Sequence, residues 1–174
     1  MTQGTEGVFG IDVGFTLNGD EQIRHIATNT VLLDLLRDDL GCRGVRRSCE
    51  RGVCGACTVL VDDVPVASCS TFAFAVDGAN VDTVEGLAGP DGSLSAPQQA
   101  FSECGGYQCG FCTSGMLMLA TGLLRQDPDP ERAKIREWIS SNTCRCTGYE
   151  MILESVERAA RLSCGACAEE GDRP

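Results

Sequence analysis

Twelve cysteines in 174 residues, most of them closely grouped, constrain this chain more than any other feature of its sequence. Cys54 and Cys57, and Cys109 and Cys112, are C-x2-C pairs; Cys144 and Cys146 form a C-x-C. A disulfide framework belongs to exported chains. Residues 1–7 are polar, with no basic residue and no apolar stretch following, so no secretory signal is expected. Sulfurs this close in sequence also suit shared metal ligation better than the stapling of distant segments. The expectation is a cytoplasmic chain whose thiols are reduced or bound to metal.

Cys49, Cys54 and Cys57 are spaced C-x4-C-x2-C, and Cys69 follows. This is the ligand arrangement of plant-type [2Fe–2S] ferredoxins. Two irons that share two sulfides need two thiolates each, so four sulfurs must converge on one small core. A loop that delivers three of them has to curl tightly. Gly52 and Gly55 permit the curl and let backbone N–H groups approach the sulfurs. Four cysteines also build structural zinc sites, although those usually pair two short C-x2–4-C hairpins. Arg43, Arg46, Arg47 and Arg51 crowd the same loop. They read as a solvated loop face, as an offset to the charge of a cluster, or as a dock for an acidic partner.

Cys109 and Cys112 lie in Gln-Cys-Gly-Phe-Cys-Thr, where a helix is expected to begin and its N-terminal partial charge favours thiolates. Cys144 and Cys146 lie in Thr-Cys-Arg-Cys-Thr-Gly-Tyr. Residues i and i+2 point the same way only on extended backbone, so this C-x-C belongs in a loop. The four together predict a second four-thiolate pocket at one end of a helical bundle. C-x-C is unusual for zinc, and its pairing with C-x2-C makes this the more specific of the two signals. Two [2Fe–2S] clusters are therefore expected, held by Cys49, Cys54, Cys57 and Cys69 and by Cys109, Cys112, Cys144 and Cys146.

The rest of the chain divides around these groups. Phe9, Ile11, Val13, Phe15 and Leu17 alternate as on a half-buried strand, Asn18-Gly19 turns it, and Ile23, His25 and Ala27 continue the alternation on the return. Thr30 is placed to cap a short helix carrying Val31, Leu32, Leu35 and Leu36. Strands follow at 58–61, at 64–66 (an edge position, because of Pro65) and at 80–84. Residues 86–94 read as a linker. Helices are expected over 97–103 with Ser95 as cap, 112–126, from about 130, and 150–162. The domains are thus 8–85, a linker 86–94, a helical unit 95–163 and a polar tail 164–174. The fold class is α+β: a small mixed unit with a hairpin, a crossing helix and further strands, followed by four short helices that suggest a bundle.

A net charge of −11 argues against nucleic acid as partner. The longest apolar run, 116–124, falls far short of the ~20 residues that span a bilayer. His25 is the single histidine, and no convincing set of acids, bases and nucleophiles stands out, so no catalytic residue is assigned.

In these stretches the chain resembles the small iron–sulfur subunit of the molybdenum hydroxylase (xanthine oxidase) family. It is most similar to the separate small subunits of three-subunit bacterial enzymes such as aerobic carbon monoxide dehydrogenase. The matching segments are 48–59, 66–69, 83–88, 108–113 and 142–149, within a resemblance that covers about residues 8–162. Ser114, Ser141 and Thr143 depart from the usual Pro, Gly and Leu, residues 43–47 are more basic than usual, and Cys42 is unexpected; none of these removes a ligand. The resemblance implies a ferredoxin-like β-grasp domain followed by a four-helix-bundle [2Fe–2S] domain, in an electron-transfer subunit with no catalysis of its own. It implies that Gln108 hydrogen-bonds a molybdenum-pterin cofactor, in its cytosine dinucleotide form, with Cys146 beside it. It further implies a large molybdopterin-binding subunit, a medium FAD-binding subunit and a dimer of heterotrimers. Electrons would leave molybdenum singly, through the helical-domain cluster and then the N-terminal one, to FAD. Of the remaining cysteines, Cys42 and Cys104 read as small apolar core residues. Cys164 and Cys167 form a C-x2-C in the tail that is a redox pair, an adventitious metal site or without function.

Overall fold

Val13, Phe15 and Leu17 turn one side of the first strand into a buried face, and the other side carries glycine and polar residues. This computed structural model describes residues 9–163 of the chain. Strand β1 (Gly10–Leu17) pairs antiparallel with β2 (Asp20–Ala27) across Asn18 and Gly19, whose φ angles of 52° and 93° are those of a tight hairpin turn. The register sets Arg24 opposite Val13 and Ile26 opposite Ile11, so the even-numbered side of β2 faces the core. Ile23 and His25 therefore point to the open face. Ile23 is exposed there, and His25 meets Asp12 across the strands at 2.7 Å.

Helix α1 (Leu32–Asp34) runs directly into a π-helical turn, Leu35–Asp39, and together they bury Leu32, Leu33, Leu35 and Leu36 against the sheet. Thr30 does not cap it. The helix starts after Val31, and no side chain caps it, because the 71–73 segment satisfies this end instead. Leu32 N–H donates to the Thr71 carbonyl at 2.8 Å, and Ala73 N–H donates to the Thr30 carbonyl at 2.9 Å. Strand β3 (Thr58–Val61) turns through Asp62 and Asp63, both with positive φ, into β4 (Val64–Ala67), and β5 (Asn80–Asp82) closes the sheet. The order is β2-β1-β5-β3-β4, with β1 and β5 parallel and every other pairing antiparallel. Pro65 sits in the edge strand, where its missing N–H costs no ladder bond.

Helix α2 (Ala96–Glu103) begins at a capping box of Ser95 with Gln98 and stops at Gly105, which has φ +65°. Then follow α3 (Thr113–Gln126), α4 (Arg132–Ile139) and α5 (Glu150–Ser163). Phe101, Met116, Leu123, Ile135, Ile139, Ile152 and Val156 form their shared core. Helix α3 also packs on β3 and β4. This explains why β3 is apolar at every inner position: Val59 enters the sheet core, while Leu60 lies close to Gly122 of α3. Arg125 bridges Asp63 and Asp82 at 2.5 Å each, fastening the end of α3 to the sheet. Among the described residues no helix is long and apolar enough to cross a membrane.

Candidate metal centres

The first cysteine loop hangs from the end of α1. Cys42 enters the sheet core, with its N–H on the Leu36 carbonyl, so it packs as the small apolar residue expected. Arg37 donates to the carbonyls of Arg43 and Val45, and Arg47 reaches Asp34 at 2.9 Å, Asp38 at 2.6 Å and Glu50 at 3.5 Å. Two of the arginines in and beside this loop thus hold its shape rather than simply face solvent. The curl itself passes through Glu50, Gly52 and Gly55, all with positive φ. Gly52 N–H then donates to Cys69 Sγ at 3.3 Å and Cys54 N–H to Cys49 Sγ at 3.4 Å, the approach of backbone to sulfur that the glycines permit. Cys69 reaches the loop from the 3-10 turn after β4, where the Ser68 hydroxyl donates to the Cys57 carbonyl at 2.8 Å.

The Cys54 thiol neighbours Cys49, and the thiols of Cys57 and Cys49 both act on Cys69. The backbone N–H of Cys54, then those of Arg51 and Val53, lower the Cys49 thiol to about 6. Burial, with the Cys57 thiol alongside, pushes Cys69 up to about 11.

The second group is built from the start of α3 and the loop between α4 and α5. Cys112 is the N-cap residue of α3, and Cys109 precedes it on the surface. In the 142–149 loop the Tyr149 hydroxyl accepts the Cys144 N–H at 2.9 Å and donates to the Asn142 carbonyl at 3.1 Å. Tyr149 itself takes φ +72° to do so. Cys144 and Cys146 consequently serve different partners: Cys146 Sγ lies 3.7 Å from Cys109 Sγ at the surface, and Cys144 lies against Cys112 inside. Burial, with the Cys144 thiol beside it, pushes Cys112 up to about 12. Burial also works against the Cys144 thiolate, but the Thr147 hydroxyl and N–H and the Cys146 N–H overcome it and lower its pKa. Facing Cys109 raises the pKa of Cys146. A cavity of about 160 Å³ opens between the sulfurs, lined by all four cysteines of this group and by Cys54 and Ala56 of the first loop. Gln108 is exposed beside Cys109. Among the described residues no three or more His, Cys, Asp or Glu side chains gather about one point to hold a single metal ion.

The two loops touch. Thr143 donates its N–H to the Cys54 carbonyl, and buried Asn142 lies 3.2 Å from Thr58 Oγ1, whose hydroxyl proton goes to the Gly55 carbonyl at 2.7 Å. Asn142, Thr147, Tyr149 and Gly115 carry this geometry, and no role was read for them from sequence. Their one signal was position, as polar or small residues flanking ligand-type cysteines. Cys104 is half-buried at the end of α2, while Cys164 and Cys167 lie outside the described residues.

Two groups of four thiols are the arrangement that a carrier of two iron–sulfur centres would present. The comparisons agree. Residues 15–88 match the 2Fe-2S iron-sulfur cluster binding domain, and residues 83–157 match the [2Fe-2S] binding domain. The nicotine 6-hydroxylase small subunit of Paenarthrobacter nicotinovorans is 44% identical over 84% of this chain and 87% of its own length. Caffeine dehydrogenase subunit gamma of Pseudomonas sp. (strain CBB1) is 43% identical over 91% and 96%. The crystal structure of quinoline 2-oxidoreductase from Pseudomonas putida 86 superposes with a TM-score of 0.84 at 38% identity, over 90% of this chain and 98% of the chain it matches. The chain belongs to the molybdenum hydroxylase (xanthine oxidase) family, as one of its small iron–sulfur, electron-transfer subunits.

Proposed function

We propose that this chain passes electrons singly from a molybdenum-pterin centre on a large partner subunit to FAD on a medium one. The path runs first through a [2Fe–2S] cluster held by Cys109, Cys112, Cys144 and Cys146. It continues through one held by Cys49, Cys54, Cys57 and Cys69. The observation that carries the reading is geometric: Cys146 and Cys109 Sγ meet at 3.7 Å, and with Cys112 and Cys144 they line one cavity, so this group presents the four thiols that two bridged irons need. A single tetrahedral ion would instead draw four sulfurs to one point. Bound there, each cluster would take up and release one electron at a time.

The residues of the chain do the rest. N–H groups aimed at Cys49, Cys69 and Cys144 favour negative sulfur, which the thiolate ligands require. The outer pair of the second group, Cys109 and Cys146, is exposed, with Gln108, Tyr107 and Phe111 around it. That surface suits docking on the molybdenum subunit, with Gln108 and Cys146 against the pterin, a cytosine dinucleotide form in our reading. On this reading the fold is a β-grasp domain followed by a four-helix bundle, and the assembly is a dimer of heterotrimers. Cysteines that ligate iron must be kept from pairing as disulfides, which suits a reducing compartment, so we place the complex in the cytoplasm.

The test is purification from the native host under anaerobic conditions. About four irons per polypeptide, two distinct paramagnetic signals after reduction, and co-purifying molybdenum-pterin and FAD subunits are expected. Recovery of the chain alone, free of molybdenum, would refute the assembly; a single signal would refute the second cluster.

A further inference from the structure

Thr147 stands one residue beyond Cys146, and its hydroxyl lies 3.1 Å from Cys144 Sγ. The same oxygen accepts the Tyr149 N–H at 3.1 Å. A Cys144 sulfur that ligates iron carries no proton, so in this contact the Thr147 hydroxyl is the donor. Thr147 N–H approaches that sulfur too, at 3.5 Å. Cys144 is 9% exposed, so water supplies little hydrogen bonding there, whereas Cys109 and Cys146 are open to solvent. The buried half of the second group therefore depends on donors from the protein.

Reduction adds one negative charge to an iron–sulfur centre, and part of it resides on the ligand sulfurs. A donor aimed at such a sulfur stabilises the reduced form more than the oxidised one, and raises the potential. The effect is strongest where water is excluded.

From this geometry we infer that Thr147 is a positioning and tuning residue: its hydroxyl, fixed by Tyr149, raises the reduction potential of the centre that Cys144 ligates. The inference rests on the liganding proposed above and adds a residue outside the ligand set. Thr147→Val keeps the branched shape and removes the proton; Thr147→Ser keeps the proton.

The experiment is a potentiometric titration of the purified complex, followed by paramagnetic resonance, in the wild type and both variants. Cys144→Ala identifies which signal belongs to the second centre. The expected result is a downward shift of that midpoint in Thr147→Val, little change in Thr147→Ser, and an unmoved midpoint for the other signal. An unchanged midpoint in Thr147→Val overturns the inference. Loss of the signal in Thr147→Val also overturns it, because the hydroxyl would then be needed to build the site rather than to tune it. Survival of both signals in Cys144→Ala would instead bring down the liganding itself, a separate failure.

Discussion

Thr143 donates its backbone N–H to the carbonyl oxygen of Cys54 at 2.9 Å, so a neighbour of one cysteine group is hydrogen-bonded to a member of the other. The bond is held by close packing. A Cβ on Gly115 would collide with the Gly55 carbonyl oxygen, and one on Gly55 would collide with Asn142 Oδ1. Two glycines and one buried asparagine thus bring these segments to backbone contact.

Gly115→Ala should therefore be costly. The obstacle is backbone, which cannot rotate away, and a loss of about 2–3 kcal/mol is expected from overpacking. Gly122→Ala, two turns further along the same face of α3, meets Leu60 Cδ2 at 2.9 Å and Pro65 Cγ at 3.3 Å, side-chain atoms with some room to give. Thermal unfolding of the two variants checks this: Gly115→Ala should melt well below Gly122→Ala, and equal melting temperatures would contradict the argument.

Cys42 separates packing from ligation. It is buried in the sheet core, and burial, more than the nearby Glu85, raises its pKa. Cys42→Ala is expected to cost about 1–2 kcal/mol by removing a buried sulfur and to leave iron content and both paramagnetic signals intact. Loss of either signal would show that it ligates.

Arg47 joins α1 to the first loop through three carboxylates, all partly exposed. Arg47→Gln is expected to lower stability by about 1 kcal/mol. The difference from wild type should shrink in high salt, since exposed pairs are screened. Chemical denaturation in urea at low and high sodium chloride measures this, and a salt-independent difference would point to packing instead.

Glu103 accepts from Gln99 at 2.7 Å and from Arg158 at 3.0 Å, contacts that hold its carboxyl below the usual 4.5. A depressed carboxylate contributes stability in full above its unfolded value and loses it as pH falls through the lower folded value. The melting-temperature gap between wild type and Glu103→Gln should hold near neutral pH and close on acidification below about pH 4.5. Taking the difference removes effects of acid common to both proteins. A gap that widens in acid would reverse the sign.

Much of the candidate site was legible in the linear chain. Iron ligation depends on residue type and on short spacing, so Cys49, Cys54 and Cys57, or Cys109 and Cys112, announce themselves within a few positions. The same holds for turns at Asn18-Gly19 and Asp62-Asp63, where local φ requirements select the residues. The start of α1 was misread at Thr30 because its partners, Thr71 and Ala73, lie far along the chain.

By itself the sequence grouped eight cysteines into two sets of four, because covalent spacing limits where neighbouring sulfurs can go. Only the tertiary structure decided which sulfur pairs with which, and which polar groups attend them. Asn142 reaches Thr58 across 84 positions, and Cys146 reaches Cys109 across 37. Contacts of that kind arise only once the two cores have packed together, since no local preference along the chain encodes them.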